Sequence, residues 1–178
     1  MLRAARLDVQ LYEEVEQDTS AMGQAMLAVL ISSAAAGIGM FSTLGVVGIL
    51  TSAVGALIGW FVWAFLTYFV GTRFLATPQT KANFSEMLRT LGFASSPGVI
   101  RVLGVIPPLR VLVGLAATIW MIVSMVVAVR QTLDYTSTGR AVAVVVIGWL
   151  IMVAIIVGLA ALMGGLFFGA AQTMRGAS

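Results

Sequence analysis

Histidine and cysteine are both absent from this chain. Without histidine it lacks the commonest metal ligand and the side chain that usually moves protons near neutral pH. Without cysteine it has no disulfide and no thiol chemistry, so the sequence carries no sign of redox compartment. Lysine is nearly missing, with Lys81 set against nine arginines. Charge of either sign is scarce: 10% of the 178 residues are charged, where a soluble domain carries about 25%. So few charges cannot cover a water-exposed surface. No nucleophile has a candidate base, and "GIGMFSTLG" lacks the lysine of a phosphate-binding loop. Glu13, Glu14, Glu16 and Asp18 cluster without calcium-loop spacing and read as a solvated face. No enzyme, cofactor or metal site is expected, although bound lipid is compatible with the composition. The net charge of +3 points to topology and lipid headgroups rather than to nucleic acid.

What is present is apolar sequence: 60% of residues are hydrophobic and the mean hydropathy is +1.05. From Thr19 to Thr72 there is no charge at all, a run of 54 residues. A helix crosses the ~30 Å hydrocarbon layer in about 20 residues. The run therefore holds two helices, with the break at Ser42 to Gly45, giving spans of about 21–41 and 45–74. The polar stretch "TPQTKANFS" closes the second. Ser85 with Glu86 then reads as a cap opening a third helix over 85–106. Uncharged runs to Arg130 and from Ala141 to Met174 give spans of 109–130 and 139–170. The expected fold is all-α: one integral membrane bundle of five helices over residues 1–178. The alternation that a β-barrel needs is missing.

Residues 1–18 lack the apolar core of a signal peptide, so the first span is expected to be an uncleaved anchor. Leu7, Leu11 and Val15 recur at helical spacing with Tyr12 beside them, while most charges lie off that stripe. This predicts a short amphipathic helix on the inner membrane surface or against the loops. Its acids would dock onto the basic Arg73–Lys81–Arg89 or Arg130–Arg140 loops.

The third helix contains "LGFASSPGVIRVLGVIPPLR", with Pro97, Pro107 and Pro108. Pro107-Pro108 ends the helix near Ile106 and opens the next one, a tight turn between antiparallel neighbours. Pro97 removes the amide that would bond the Phe93 carbonyl, which kinks a continuous helix. Ser95, Ser96 or water can meet that carbonyl. A re-entrant segment also fits, and it would reverse the side of the C-terminus. Arg101 reads as an arginine that snorkels to the outer interface.

With the N-terminus in the cytoplasm, five crossings put Arg3, Arg6, Arg73, Lys81, Arg89, Arg130 and Arg140 inside and Arg101, Arg110 and Arg175 outside. That distribution obeys the positive-inside rule. Every acid also falls inside. Arg101 and Arg110 are therefore expected to meet lipid phosphates or an anionic partner at the outer face. Small residues predict close helix packing: Gly55 with Gly59, Gly165 with Gly169, the stripe Ala28, Ser32 and Ala36, and the stripe Gly48, Ser52 and Ala56. Such faces serve packing within one chain or pairing between chains. The aromatic crowd from Trp60 to Phe69 is core, lipid-facing, or a lipid or quinone groove.

Three stretches, "LYEEVEQDTSAMGQA", "FSEMLRTLGFASSPGVI" and "TIWMIVSMVVAVRQTLDYTSTGRAVAVVVIGWL", together resemble the Yip1 domain family. The Leu91-to-Pro97 step and the Ser137–Ala141 turn carry most of the likeness. The resemblance implies a five-span, non-enzymatic domain of the bacterial inner (plasma) membrane. Eukaryotic relatives bind small GTPases through a long cytosolic region that has no counterpart here, so GTPase binding is not expected. The expected function is structural: self-association, or a place as a subunit of a membrane complex. A transport or channel component and a lipid-binding or lipid-organising protein are the alternatives.

Overall fold

The computed structural model describes residues 1–176, and side chains within 1–41 and 45–164. The described chain is helical throughout, with no strand. Two short helices come first, α1 (Leu2–Ala5) and α2 (Val9–Gln17), followed by α3 (Met22–Gly39) and α4 (Phe41–Arg73). Then come α5 (Phe84–Ala94), a 3₁₀ segment (Ser96–Val105), α6 (Arg110–Thr132) and α7 (Thr138–Gly176). Four stretches are long and apolar enough to cross a membrane: Thr19–Gly39, Gly45–Arg73, Pro107–Thr132 and Thr138–Gly164. Gly45, at φ +60°, supplies the break between the first two, a conformation that costs glycine little.

The third predicted span is not one kinked helix. α5 ends at Ala94, and the chain tightens into 3₁₀ turns from Ser96. Pro97 has no amide to continue the α ladder, so the Gly98 amide reaches back only three residues to the Ser95 carbonyl at 2.9 Å. The freed carbonyls are met locally. Ser96 Oγ donates to Phe93 at 2.6 Å and Ser95 Oγ to Gly92 at 2.7 Å. Ile106 is extended, and Pro107–Leu109 form one 3₁₀ turn before α6 begins.

This broken segment is the centre of the bundle. Met87 to Gly98 is buried without interruption. α2, α3, α4 and α6 all pack on α5, and α3 and α6 continue along the 3₁₀ segment. Small residues permit the approach. A methyl group added at Gly92 would meet Ala25 Cβ at 2.7 Å, and one at Gly98 would meet Ser32 Cβ at 3.2 Å. One at Gly39 would overlap the Arg101 carbonyl oxygen. The contacts step along both strands of chain in the same direction, so the segment runs parallel to α3. Seven α-helical residues rise ~10.5 Å and six 3₁₀ residues ~12 Å, which keeps the small residues of α3 and of the segment in step. The Ser32 hydroxyl adds a 2.7 Å hydrogen bond to the Ser95 carbonyl.

Residues 1–18 differ from the single surface helix expected. Leu7, at φ +61°, breaks it, and Asp8 caps α2 by accepting from the Gln10 amide. Leu11, Tyr12 and Val15 are buried against α5 and α6. The Tyr12 hydroxyl lies 3.3 Å from the Ala4 carbonyl and 3.4 Å from Ser124 Oγ on α6. Docking does use a basic residue, but through main-chain atoms rather than the acids: Arg89 donates to the carbonyls of Val15 and Glu16. Glu14 is taken by Arg3 at 2.7 Å, and Glu13 accepts from Gln131 at 3.2 Å.

Candidate functional site

α6 supplies a ruler for depth. Its charged ends, Arg110 and Arg130, are twenty residues apart, or ~30 Å of helix, the thickness of the hydrocarbon layer. Arg101 leaves the 3₁₀ segment and donates from Nη2 to Thr118 Oγ1 at 3.0 Å. Thr118 lies eight residues along α6 from Arg110, about 12 Å below that end. Its own hydroxyl donates to the Gly114 carbonyl at 2.8 Å. Arg101 therefore lies along α6, bonded to a hydroxyl about two helical turns from Arg110. Its 3₁₀ turn lies between α3 and α6. Arg110 stays at the helix end, where Nε donates to the Gly104 carbonyl at 3.3 Å.

Two cavities meet at Arg101. The outer one, about 430 Å³, has Ala36 and Gly39 of α3 on one side and Arg110, Gly114 and Thr118 of α6 on the other. The inner one, about 190 Å³, lies between Ser33 of α3, Gly59 and Trp63 of α4, Ser95, and Met121 and Met125 of α6. Trp63 and Met125 also line a third, strongly apolar hollow of about 390 Å³, closed by Val145 and Trp149 of α7. Among the described residues the ion pairs are those of Arg3 with Asp8 and Glu14, so no carboxylate pairs with Arg101. A charged arginine deep in a helix costs ~2.5–3.5 kcal/mol on insertion scales. The inner cavity also borders a strained donor: Trp63 Nε1 is buried without a hydrogen-bond partner among the described residues.

The other small residues fall into two groups. Ala28 and Ser32 are buried on α3 against the central segment, and Ala36 reaches the outer cavity. Gly48 is buried, and Ser52, with Oγ bonded to the Ile49 carbonyl, faces Gly37. Gly55 and Gly59 have no described atom within 4 Å of an added methyl group. Gly165 and Gly169 lie outside the residues whose side-chain surroundings are described. Reading the sequence missed Gly39, Gly104 and Thr118. Thr118 carried a signal, as one of two hydroxyls inside the uncharged run of α6, the other being Ser124, but nothing in the sequence pairs it with Arg101.

The opposite end of the bundle is acidic. Glu13, Glu16 and Asp134 border a polar hollow of about 460 Å³ with Arg130. Burial, and then Asp134, Glu86 and Glu13, push the Glu16 carboxyl up to about 7, while Arg89 opposes the shift. Among the described residues no group of three or more acids is placed to hold a metal ion.

The family can be assigned from a match that runs along nearly the whole of this architecture. The Yip1 domain family model aligns with residues 10–159, from α2 into α7. The chain belongs to the Yip1 domain family. No curated protein and no solved structure matches it. In this Yip1 domain the matched region contains the central segment, Arg101, Arg110 and the residues lining all three hollows.

Proposed function

We propose that this Yip1 domain is a non-enzymatic membrane protein that binds an anionic lipid, with Arg101 and Arg110 as the headgroup site. One observation carries the reading: Arg101 bonds the neutral hydroxyl of Thr118, about two turns along α6 from Arg110, with no carboxylate beside it among the described residues. An ionisable residue held inside a bilayer marks a functional site by default. Arginine suits a phosphate, because its fork of donors can bind two oxygens at once. The central segment completes a fifth crossing in this reading, since it follows α3 from Ala25 to Gly39. The arginines then face the outer leaflet, with the N-terminus in the cytoplasm of a bacterial cell.

Native mass spectrometry of gently solubilised protein tests the reading. The wild type should retain an acidic phospholipid, and Arg101→Gln should lose it. Equal retention by both would refute the headgroup site. Lateral self-association is the second reading, favoured by the bare face at Gly55 and by the exposed Leu50, Val54 and Ile58 on the same helix. The same spectra would show it as a dimer that Gly55→Leu abolishes.

A further inference from the structure

The inner cavity is not needed to bind a headgroup at the outer end, yet Arg101 lines both hollows. We propose that the inner cavity, with the apolar hollow beyond it, is the acyl-chain site of the same ligand: a phosphate-bearing lipid whose head lies on Arg101 and Arg110 and whose chain descends past Arg101. This rests on the anionic-lipid reading above and adds where the chain goes.

Three features support it. The hollows share lining residues in sequence from the outside inward: Arg101 joins the first to the second, and Trp63 and Met125 join the second to the third. Polar lining is similar in the first two hollows and drops sharply in the last. Two arginines and Thr118 line the outer hollow, Arg101 and a few serines the middle one, and only Trp63, Ile122, Met125, Val145, Val146 and Trp149 the last. A charged head with an apolar chain has this profile. The serine hydroxyls of the middle hollow are already engaged with main-chain carbonyls: Ser32 with Ser95, Ser33 with Leu30, and Ser95 with Gly92. They therefore present mainly carbon to a ligand, and methionines 121 and 125 supply adaptable apolar surface opposite. Gly59 keeps the wall open, since no atom lies within 4 Å of where its side chain would begin. The Arg101–Thr118 hydrogen bond crosses between the outer and middle hollows. It exchanges for a phosphate when the lipid enters.

The experiment uses full-length protein in detergent with Trp120→Phe, which leaves Trp60, Trp63 and Trp149 as reporters beside the middle and last hollows. Phosphatidic acid brominated along its acyl chains is titrated in, with brominated phosphatidylcholine and inorganic phosphate as parallel arms. The expected result is tryptophan quenching by phosphatidic acid that saturates near one equivalent, with little quenching by phosphatidylcholine. Gly59→Leu, whose Cβ meets no described atom within 4 Å and whose side chain takes up room in the hollow, should abolish the quenching and weaken phosphatidic acid binding about tenfold. Arg101→Gln should weaken it at least as much. Equal quenching by phosphatidylcholine would overturn the proposal. Inorganic phosphate displacing the lipid or raising the melting temperature as much as it does would assign the site to free phosphate and overturn the chain assignment. If Arg101→Gln loses the lipid while Gly59→Leu keeps both affinity and quenching, the chain placement fails and the headgroup reading stands. If Arg101→Gln binds as the wild type does, the headgroup reading itself fails.

Discussion

Arg89→Met should release the N-terminal segment from the bundle. Arg89 is 4% exposed, on the buried helix α5, and its guanidinium is directed at the end of α2. The last carbonyls of any helix lack intrahelical partners and carry the negative end of its dipole. Arg89 Nε meets the Val15 carbonyl at 2.9 Å, and Nη2 meets that of Glu16. Hydrogen bonds to a charged group contribute ~1.5–3 kcal/mol each, so two give ~3–6 kcal/mol. Methionine keeps most of the stem packing and relieves the cost of burying a charge, which offsets part of that loss. The net cost is about 2–4 kcal/mol, a rise of roughly 30- to 1,000-fold in the undocked population. Hydrogen exchange in detergent reads this directly at Leu11, Tyr12 and Val15. Their amides should exchange faster by that factor, while amides of α6 and α7 stay protected. Unchanged exchange in α2 would refute the reasoning and leave the apolar stripe as the whole attachment.

Gly39→Ala and Gly55→Ala should act in opposite directions. The first pushes a methyl group into the Arg101 main chain and should cost ~1–3 kcal/mol, while the second meets nothing and gains up to ~1 kcal/mol of helix propensity. Melting temperatures in one detergent decide it, and the reverse order would refute the placement of the central segment. The Glu16 carboxyl predicts a pH dependence. Its folded value near 7 lies above the unfolded 4.5, so the folded state holds the extra proton between them. Stability should therefore fall as pH rises from about 4.5 to about 7 and then level off. Glu16 is partly exposed, and screening reduces the expected loss to about 1 kcal/mol. Glu16→Gln should remove that fall, and an identical slope in both proteins would clear Glu16 as its source.

Hydropathy located the elements that face lipid and undervalued the one they surround. The spans expected at 21–41, 45–74 and 109–130 correspond to Met22–Gly39, Gly45–Arg73 and Arg110–Thr132, because their ends are set by charge, glycine and proline. The 85–106 stretch looked like the least regular span, with Arg89, Thr90, Ser95 and Ser96 inside it. Those residues are buried, and each has a partner. Thr132 Oγ1 donates to Thr90 Oγ1 at 2.8 Å, and Ser96 Oγ donates to the Phe93 carbonyl. In lipid the usual sorting is inverted: apolar side chains are content on the outside, and polar ones hold the centre. An exposed Val54 or Leu115 is therefore ordinary, and a polar run between hydrophobic neighbours marks the core. The candidate site was legible only in part. Arg101 and Arg110 stood out as charges, but their relation to Gly39, Thr118 and the hollows depends on a 3₁₀ register that no local pattern encodes.

That register also explains where Arg101 lies. A 3₁₀ turn repeats every three residues and rises ~2 Å per residue, so Ser95, Gly98, Arg101 and Gly104 fall in one row on the segment. Gly98 and Gly104 in that row lie against Ser32 and Gly39 of α3, where only small residues fit. Ser95 gives its carbonyl to Ser32. Arg101 is the one long side chain in the row. With α3 pressed this closely against the segment, it extends between α3 and α6 to Thr118. An α-helix of the same sequence would spread these four residues over about half its circumference. Pro97, by removing an amide from the ladder, favours the tighter turn that keeps them in one row. Each other polar side chain of the row is matched within the protein. The guanidinium has a neutral hydroxyl where its chemistry calls for an anion, and a bilayer is rich in phosphates that can supply one.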